Sequence, residues 1–383
     1  MSQNSSSPHR PIKGSWEASL LEAQEMARRN DDRAVAAYWR LIDRLAGFDP
    51  ERRRAGSGRL QLFLEDALFG MQAYLAKRGR FHEAQDVESA RIEGLLADDA
   101  LAEWMLNRAK LLSWHGQGEA ALDVLFAHLN QYPLSIPARW QLFDIYIDAN
   151  RLDEAAAMVD DFEATTRQSE DALPLHAGLI WYLRCVVALS AQAWDEAFAH
   201  FRLAAQESDA YAENWHMLYR PLIFAGQHEL AARALNREES EASQRFWRGL
   251  SGHYAGDAVG SKIEWEQVTK LDIEQVWVRS AIDWILAHYF LGDEERTGLE
   301  LALRLLNRPD ADPEPTMLIA AALGWSLRGE WGHVRSNLDF ALAGYRANLQ
   351  DALLPKMYGV LARDLMGAEQ SAQFARYFRQ TGI

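Results

Sequence analysis

A pattern of helix, turn and helix that recurs along nearly the whole chain is the feature that most constrains its fold. In each unit an apolar, aromatic-rich helical segment leads to a turn with Gly or a polar residue, and a second helical segment follows. The spacing between turns is about 30 to 42 residues, as in two-helix solenoid repeats. We therefore expect an all-α solenoid of about ten antiparallel helix pairs, with no strands. The predicted turns are Gly79, Gly116, Asn150, Gln192, Gly226, Gly256, Gly292, Gly329 and Gly367.

The residue types at these turns have a physical explanation. A chain that reverses from one helix into the next often needs a residue in the left-handed region, which Gly adopts without a Cβ clash and Asn tolerates. In each second helix the apolar residues return every three or four positions, as in Ala121, Leu125 and Leu129. A single helix pair cannot bury this stripe, so we expect neighbouring pairs to stack against it.

The length of 383 residues exceeds one compact core and suits an array that grows along one axis. We expect a disordered tail at 1–14, divergent N-terminal capping helices at 15–57 and the repeat solenoid at 58–383. Pro221 lies in a predicted helix of about 211–225. Because proline has no backbone N–H, it should kink or break that helix.

Charge and cysteine content limit the partners and the compartment. The formal net charge is −15 and the pI about 5.2, which argues against binding to nucleic acid or anionic membranes. Cys185 is the one cysteine, so no intramolecular disulfide can form and a reducing compartment is expected. The opening residues contain no apolar signal-peptide core, and no apolar stretch reaches the roughly twenty residues that span a bilayer. These features predict a cytoplasmic protein.

Several units resemble the tetratricopeptide repeat (TPR) family, whose pattern is a Trp in the first helix, a Gly turn, a small Ala, an aromatic residue four positions later and a late Pro. One unit has Trp181, Ala197 and Phe201 around the turn at Gln192, and the next has Trp215 and Ala231 around Gly226. The resemblance covers about 58–380 as an architecture and is specific only between about 101 and 272. It implies a right-handed TPR-like superhelix.

The resemblance also implies a concave groove lined by first-helix side chains, where another protein or a peptide segment would bind. Trp181 and Trp215 occupy the position that packs between helices, whereas Trp114 and Trp140 could face either the core or the groove. The apolar C-terminal end of the groove is open to two interpretations: a partner helix lies in it, or tight winding buries it. The predicted groove residues are Lys110, Trp114, Trp140, Asp144, Tyr182, His216, Arg220, Ile282, Leu286 and Tyr289.

No catalytic motif is complete. His82-Glu83 and His228-Glu229 begin like a zinc-protease helix, but Asp86 and Ala232 stand where the second histidine is needed. We therefore predict no catalytic residues, no metal and no cofactor. The leading hypothesis is a non-enzymatic scaffold or adaptor that binds a partner protein in its groove. The alternative is a regulatory sensor whose curvature changes when a peptide or small ligand binds. The sequence leaves the identity of the partner and the oligomeric state open.

Overall fold

The computed structural model describes residues 15–29, 31–54, 59–78, 80, 83, 98–114, 116–168, 172–271, 281–292, 298–306, 315–347 and 361–380. All regular structure in these ranges is helical, as predicted. The chain divides into two compact units: the first contains the helices up to Gln131, together with residues 345–350, and the second contains the helices from Ile136 onwards up to Gly344 and again after residue 350. The predicted turn at Gly79 lies outside the described residues.

The first unit contains six described helices. The first turn of α1 is capped by Ser15, whose hydroxyl accepts a hydrogen bond from the Ala18 amide. Helices α1, α2 and α4 pack around a core that includes Tyr38, Leu64 and Trp104. The helices are α1 (Trp16–Arg28), α2 (Arg33–Ala46), α3 (Pro50–Arg54), α4 (Arg59–Lys77), α5 (Asp98–Trp114) and α6 (Gly118–Gln131).

In the second unit consecutive helices pack as pairs, for example α9 with α10 and α14 with α15. Its described helices are α7 (Ile136–Asp148), α8 (Leu152–Thr166), α9 (Ala172–Ser190), α10 (Trp194–Glu207), α11 (Asp209–Ala212), α12 (His216–Phe224), α13 (His228–Leu235), α14 (Glu241–Tyr254), α15 (Ala258–Val268), α16 (Ala281–Phe290), α17 (Leu299–Leu306), α18 (Pro315–Leu327), α19 (Trp331–Ala347) and α20 (Ala368–Gln380).

Seven of the nine predicted turns have the expected left-handed backbone. At Asn150, with φ of 54°, the amide of Arg151 donates to the carbonyl of Tyr146 at 2.8 Å and that of Asn150 to Ile147 at 3.0 Å. This pair of bonds is a Schellman motif, which satisfies carbonyls at the end of the first helix. Positive φ values occur at Gly116, Asn150, Gln192, Gly226, Gly256, Gly292 and Gly329. Gly367 is the exception among the described turns, since its φ is not positive.

The TPR-like register of the second helices is also confirmed by burial. The small residue after each turn is fully buried in the units around Gly116, Asn150, Gln192 and Gly226. In the unit around Gln192 both Ala197 and the aromatic Phe201 have no exposed surface. The buried small residues are Ala121, Ala155, Ala197 and Ala231. Because alanine has no side-chain atoms beyond Cβ, the two helices of each pair can approach each other closely.

The predicted helix of about 211–225 is interrupted, but Pro221 does not interrupt it. The break separates α11 from α12, and α12 continues through Pro221 to Phe224. At the break the side-chain Nδ2 of Asn214 donates to the Ala210 carbonyl at 2.6 Å, the acceptor that its own backbone N–H would use in a continuous helix. Asn side chains compete with the helix ladder in this way. The expected break at Pro221 is therefore not observed, and the helix is interrupted between Ala212 and His216 instead.

Candidate partner-binding site

Three aromatic rings from different helices form a continuous stack in the second unit. The ring of Trp140 on α7 lies parallel to that of Tyr182 on α9, with centroids 5.7 Å apart and an interplanar angle of 2°. Tyr182 in turn stacks on Tyr211 of α11 at 5.0 Å. All three residues are partly exposed. Stacked pairs of this kind contribute about 0.5–1.5 kcal/mol each beyond the area they bury, so the rings hold one another in place.

Helix α7, which carries Trp140, is held in place by buried side chains that pack into the core. On α7 the buried side chains of Leu142 and Phe143 face the core, which leaves Trp140 at the border of the buried stripe.

Gly178 on α9 makes room for the third ring. A Cβ at this position would lie 2.7 Å from Ser208 Cβ and 3.3 Å from the Tyr211 ring. Only glycine therefore allows Tyr211 to reach the stack without displacement.

The rings of this site are uncharged at neutral pH. Burial, supported by the nearby charge of Asp144, raises the pKa of Tyr182 well above its usual range. Burial also raises the pKa of Tyr211 to about 12. The adjacent Cys185 is fully buried, and its pKa rises to about 12 for the same reason, so its thiol is not a nucleophile. The site therefore offers aromatic surface and hydroxyl groups that can form hydrogen bonds. These side chains do not provide a general acid, a general base or a nucleophile.

Arg220, another predicted groove residue, belongs to a polar cluster inside the second unit. Its guanidinium lies over the Trp247 ring at 4.8 Å, and Trp247 Nε1 donates to Asp283 Oδ1 at 3.1 Å. The hydroxyl of Ser243 donates to Asp283 Oδ2 at 2.6 Å. Asp283 is 1% exposed, and burial raises its pKa although the charge of Arg220 opposes the shift. One role of Arg220 is therefore to offset a buried carboxyl group.

One interpretation of the C-terminal first helices placed an accessible apolar groove there, but the predicted groove residues on α16 are buried. Ile282, Leu286 and Tyr289 on α16 are all buried, with 6%, 1% and 3% of their surface exposed. The Tyr289 hydroxyl donates to the Ala320 carbonyl of α18 at 3.1 Å. Its ring is packed so closely that a Cβ at Gly324 would lie 2.4 Å from the hydroxyl. These side chains are core residues, and the correction follows from the close packing of α16 and α18.

The remaining predicted groove residues are distributed as follows. Asp144 and His216 are partly exposed in the second unit, and Lys110 is partly exposed on α5 of the first unit. The side chain of Trp114 lies outside the described residues. Of the two core predictions, Trp215 is buried, whereas Trp181 is partly exposed and stacks on His200 with centroids 5.5 Å apart.

Tyr211 was not predicted from the sequence as a site residue. The pattern placed it at the start of a longer helix, and its position in the stack depends on the break at Asn214. A usable signal was present in Gly178, because a helix-interior glycine with no turn role often marks close approach of a neighbouring group.

The described residues include no group of three or more His, Cys, Asp or Glu side chains placed to hold a metal ion. Within the same residues, no helix combines the length and the apolar character that crossing a membrane requires.

No protein-family model matches the sequence, and no curated protein matches it either. The chain is similar to the crystal structure of a tetratricopeptide repeat protein from Parabacteroides merdae, with 13% identity, a TM-score of 0.43 and coverage of 72% of this chain and 97% of that chain. It is similar to the APC/C hetero-tetramer Cut9-Hcn1, with 12% identity, a TM-score of 0.31 and coverage of 97% and 88%. It is also similar to the P58(IPK) TPR domain, with 13% identity, a TM-score of 0.25 and coverage of 96% and 99%. All three TM-scores are below 0.5, so the similarity carries no inference about function.

Proposed function

We propose that this protein is a non-enzymatic scaffold or adaptor that binds a segment of a partner protein against Trp140, Tyr182 and Tyr211. The observation that carries the proposal is the continuous stack of three partly exposed rings on three helices. Aromatic side chains are enriched among the residues that dominate binding energy at interfaces. Because these rings are already held by stacking, little side-chain entropy is lost when a partner packs on them.

The chemistry of the surrounding groups supports binding rather than catalysis. The tyrosine hydroxyls stay protonated at neutral pH, since burial raises both pKa values, and Cys185 is a buried neutral thiol. Side chains of this kind recognise a surface by packing and hydrogen bonding. A single buried cysteine also fits a reducing compartment, so we place the protein in the cytoplasm as part of the proposal.

An affinity pull-down from native cell extract tests the proposal. The intact chain is compared with a double variant, Trp140→Ala and Tyr211→Ala, which removes the two ends of the stack. The control is Phe340→Ala on α19, which removes a ring that is 59% exposed outside the stack. Circular dichroism first establishes that all the proteins are equally helical.

A partner recovered by the intact chain and by the control, but lost by the double variant, supports the adaptor. Equal recovery by all three proteins would move the binding surface away from the stack. Failure to recover any protein partner would favour the ligand-responsive sensor instead.

A further inference from the structure

We propose that the partner segment bound at this site is basic and presents Lys or Arg side chains to the aromatic stack. This inference rests on the proposed function and adds the chemical class of the partner. It comes from the distribution of charge along the part of the chain that carries the three rings.

The segment 141–213, which contains Tyr182 and Tyr211, is strongly acidic. It has 14 Asp or Glu residues and four Arg residues, with no Lys, which gives a net charge of −10. The whole chain has a net charge of −15, so most of the excess negative charge lies within 73 residues around the stack. A field of this sign attracts a cationic ligand and repels an acidic peptide or a nucleic acid.

Ion pairs neutralise only some of the 14 acidic side chains of this segment. Arg184 binds Asp160 at 2.9 Å and Glu163 at 2.6 Å. Arg151 binds Glu154 at 2.9 Å, and Arg139, just before the segment, binds Asp161 at 3.0 Å. Exposed acidic residues without an ion pair to a described residue remain. They are Asp148, Asp153, Asp195, Glu196, Glu207, Asp209 and Glu213.

Exposed carboxylates also occur on or beside the two helices that carry the outer rings of the stack. Asp148 is exposed on α7, eight residues after Trp140 and therefore about 12 Å further along the helix. Asp209 and Glu213 are exposed at the first residue and at the C-cap of α11, the short helix that carries Tyr211. The face of an aromatic ring is itself electronegative and attracts ammonium and guanidinium groups. Partly exposed rings in a part of the chain with this excess of carboxylates are therefore suited to Lys or Arg side chains.

An unbiased peptide selection tests the charge of the ligand. A phage library of random 12-residue peptides is selected against the full chain, and the enriched peptides are synthesised with a fluorescent label. Their affinities are measured by fluorescence anisotropy for the intact chain, for the ring variant Trp140→Ala with Tyr211→Ala, and for an acid variant with Asp148→Asn, Asp209→Asn and Glu213→Gln. Each peptide is also made with Gln in place of its Lys and Arg residues.

A matched control removes the same charge from the first unit. Glu22→Gln, Glu51→Gln and Glu103→Gln change three exposed acidic residues without touching the stack. We expect enriched peptides to be basic, to lose affinity in the ring variant and to bind the acid variant at least about fivefold more weakly, since each exposed ion pair has a modest effect. Binding to the control should change by less than about twofold, and affinity should fall with added salt.

Three results would overturn the inference. Enriched peptides that need the rings but are neutral or acidic would refute the basic ligand while leaving the adaptor proposal intact. An equal loss of affinity in the acid variant and in the control would mean that only the overall charge matters. If no enriched peptide depends on Trp140 and Tyr211, both the basic ligand and the proposed site fail.

Discussion

Gly249 on α14 provides a quantitative test of the packing between α14 and α15. A Cβ at this position would lie 2.6 Å from Trp265 Nε1 and 2.9 Å from Trp265 Cδ1. The ring cannot move away freely, because Nε1 donates to the Phe246 carbonyl at 3.2 Å and the ring stacks on Phe290 with centroids 4.6 Å apart. Trp265 is only 4% exposed. The substitution Gly249→Ala should therefore force a shift of about 1 Å in a closely packed region.

The expected change in the free energy of unfolding combines three contributions. Overpacking of a well-filled core costs about 1–3 kcal/mol. Weakening of the Trp265 hydrogen bond adds about 0.5–1.5 kcal/mol. Replacing a helix-interior Gly by Ala returns about 0.5–1 kcal/mol through lower backbone entropy in the unfolded chain. We expect Gly249→Ala to destabilise the protein by about 0.5–4 kcal/mol, with a central value of about 2 kcal/mol.

The measurement is urea unfolding followed by circular dichroism at 222 nm and by tryptophan fluorescence. The control is Gly332→Ala on α19, where a Cβ would meet nothing within 4 Å. This control should be neutral or stabilise by up to about 1 kcal/mol. A second variant, Gly249→Ala with Trp265→Phe, should be less destabilised than the sum of its single changes because the smaller ring removes the clash. If Gly249→Ala is as stable as the native chain, the Trp265 ring is not held as described and the reasoning is wrong.

Three further predictions concern single positions. The raised pKa of Asp283 means that the native state binds this proton more tightly than the unfolded state, so its contribution to stability falls as pH rises above the unfolded pKa of about 4. Thermal melts of Asp283→Asn between pH 4.5 and 8 should lose less stability with rising pH than the native chain, and identical slopes would contradict this. Arg139→Lys should destabilise by about 1–2 kcal/mol in urea, because the 3% exposed guanidinium makes three hydrogen bonds that one ammonium cannot replace. Gln192→Gly should raise the melting temperature, corresponding to about 0.5–1 kcal/mol, since Gln192 has a φ of 59° that glycine adopts without strain; an unchanged or lower value would count against a strained turn.

The sequence alone was sufficient to predict the helix pairs, most of their turns and the buried stripe of the second helices. These features depend on local chemistry, because a left-handed residue ends a helix wherever it stands and a period of 3.6 residues places apolar side chains on one face. Asn150 and Gly226 show this most clearly, since each was identified from residue type and spacing and each has positive φ.

Tertiary contacts decide which residues come together in the candidate site. Trp140 and Tyr182 were proposed from the sequence, but Tyr211 reaches them only because Asn214 interrupts a helix and Gly178 leaves space for the ring. Ile282 and Leu286 were equally good groove candidates by pattern, yet both are buried.

The sequence by itself determined where this chain turns and which face of each second helix is apolar, since both follow from the conformational preferences of residues near one another. Only the tertiary structure decided which first-helix side chains remain exposed. That outcome depends on how closely helices that are far apart in the sequence approach one another. A glycine such as Gly324, opposite Tyr289 and 35 residues away, controls that approach without any local sign in the sequence of α16.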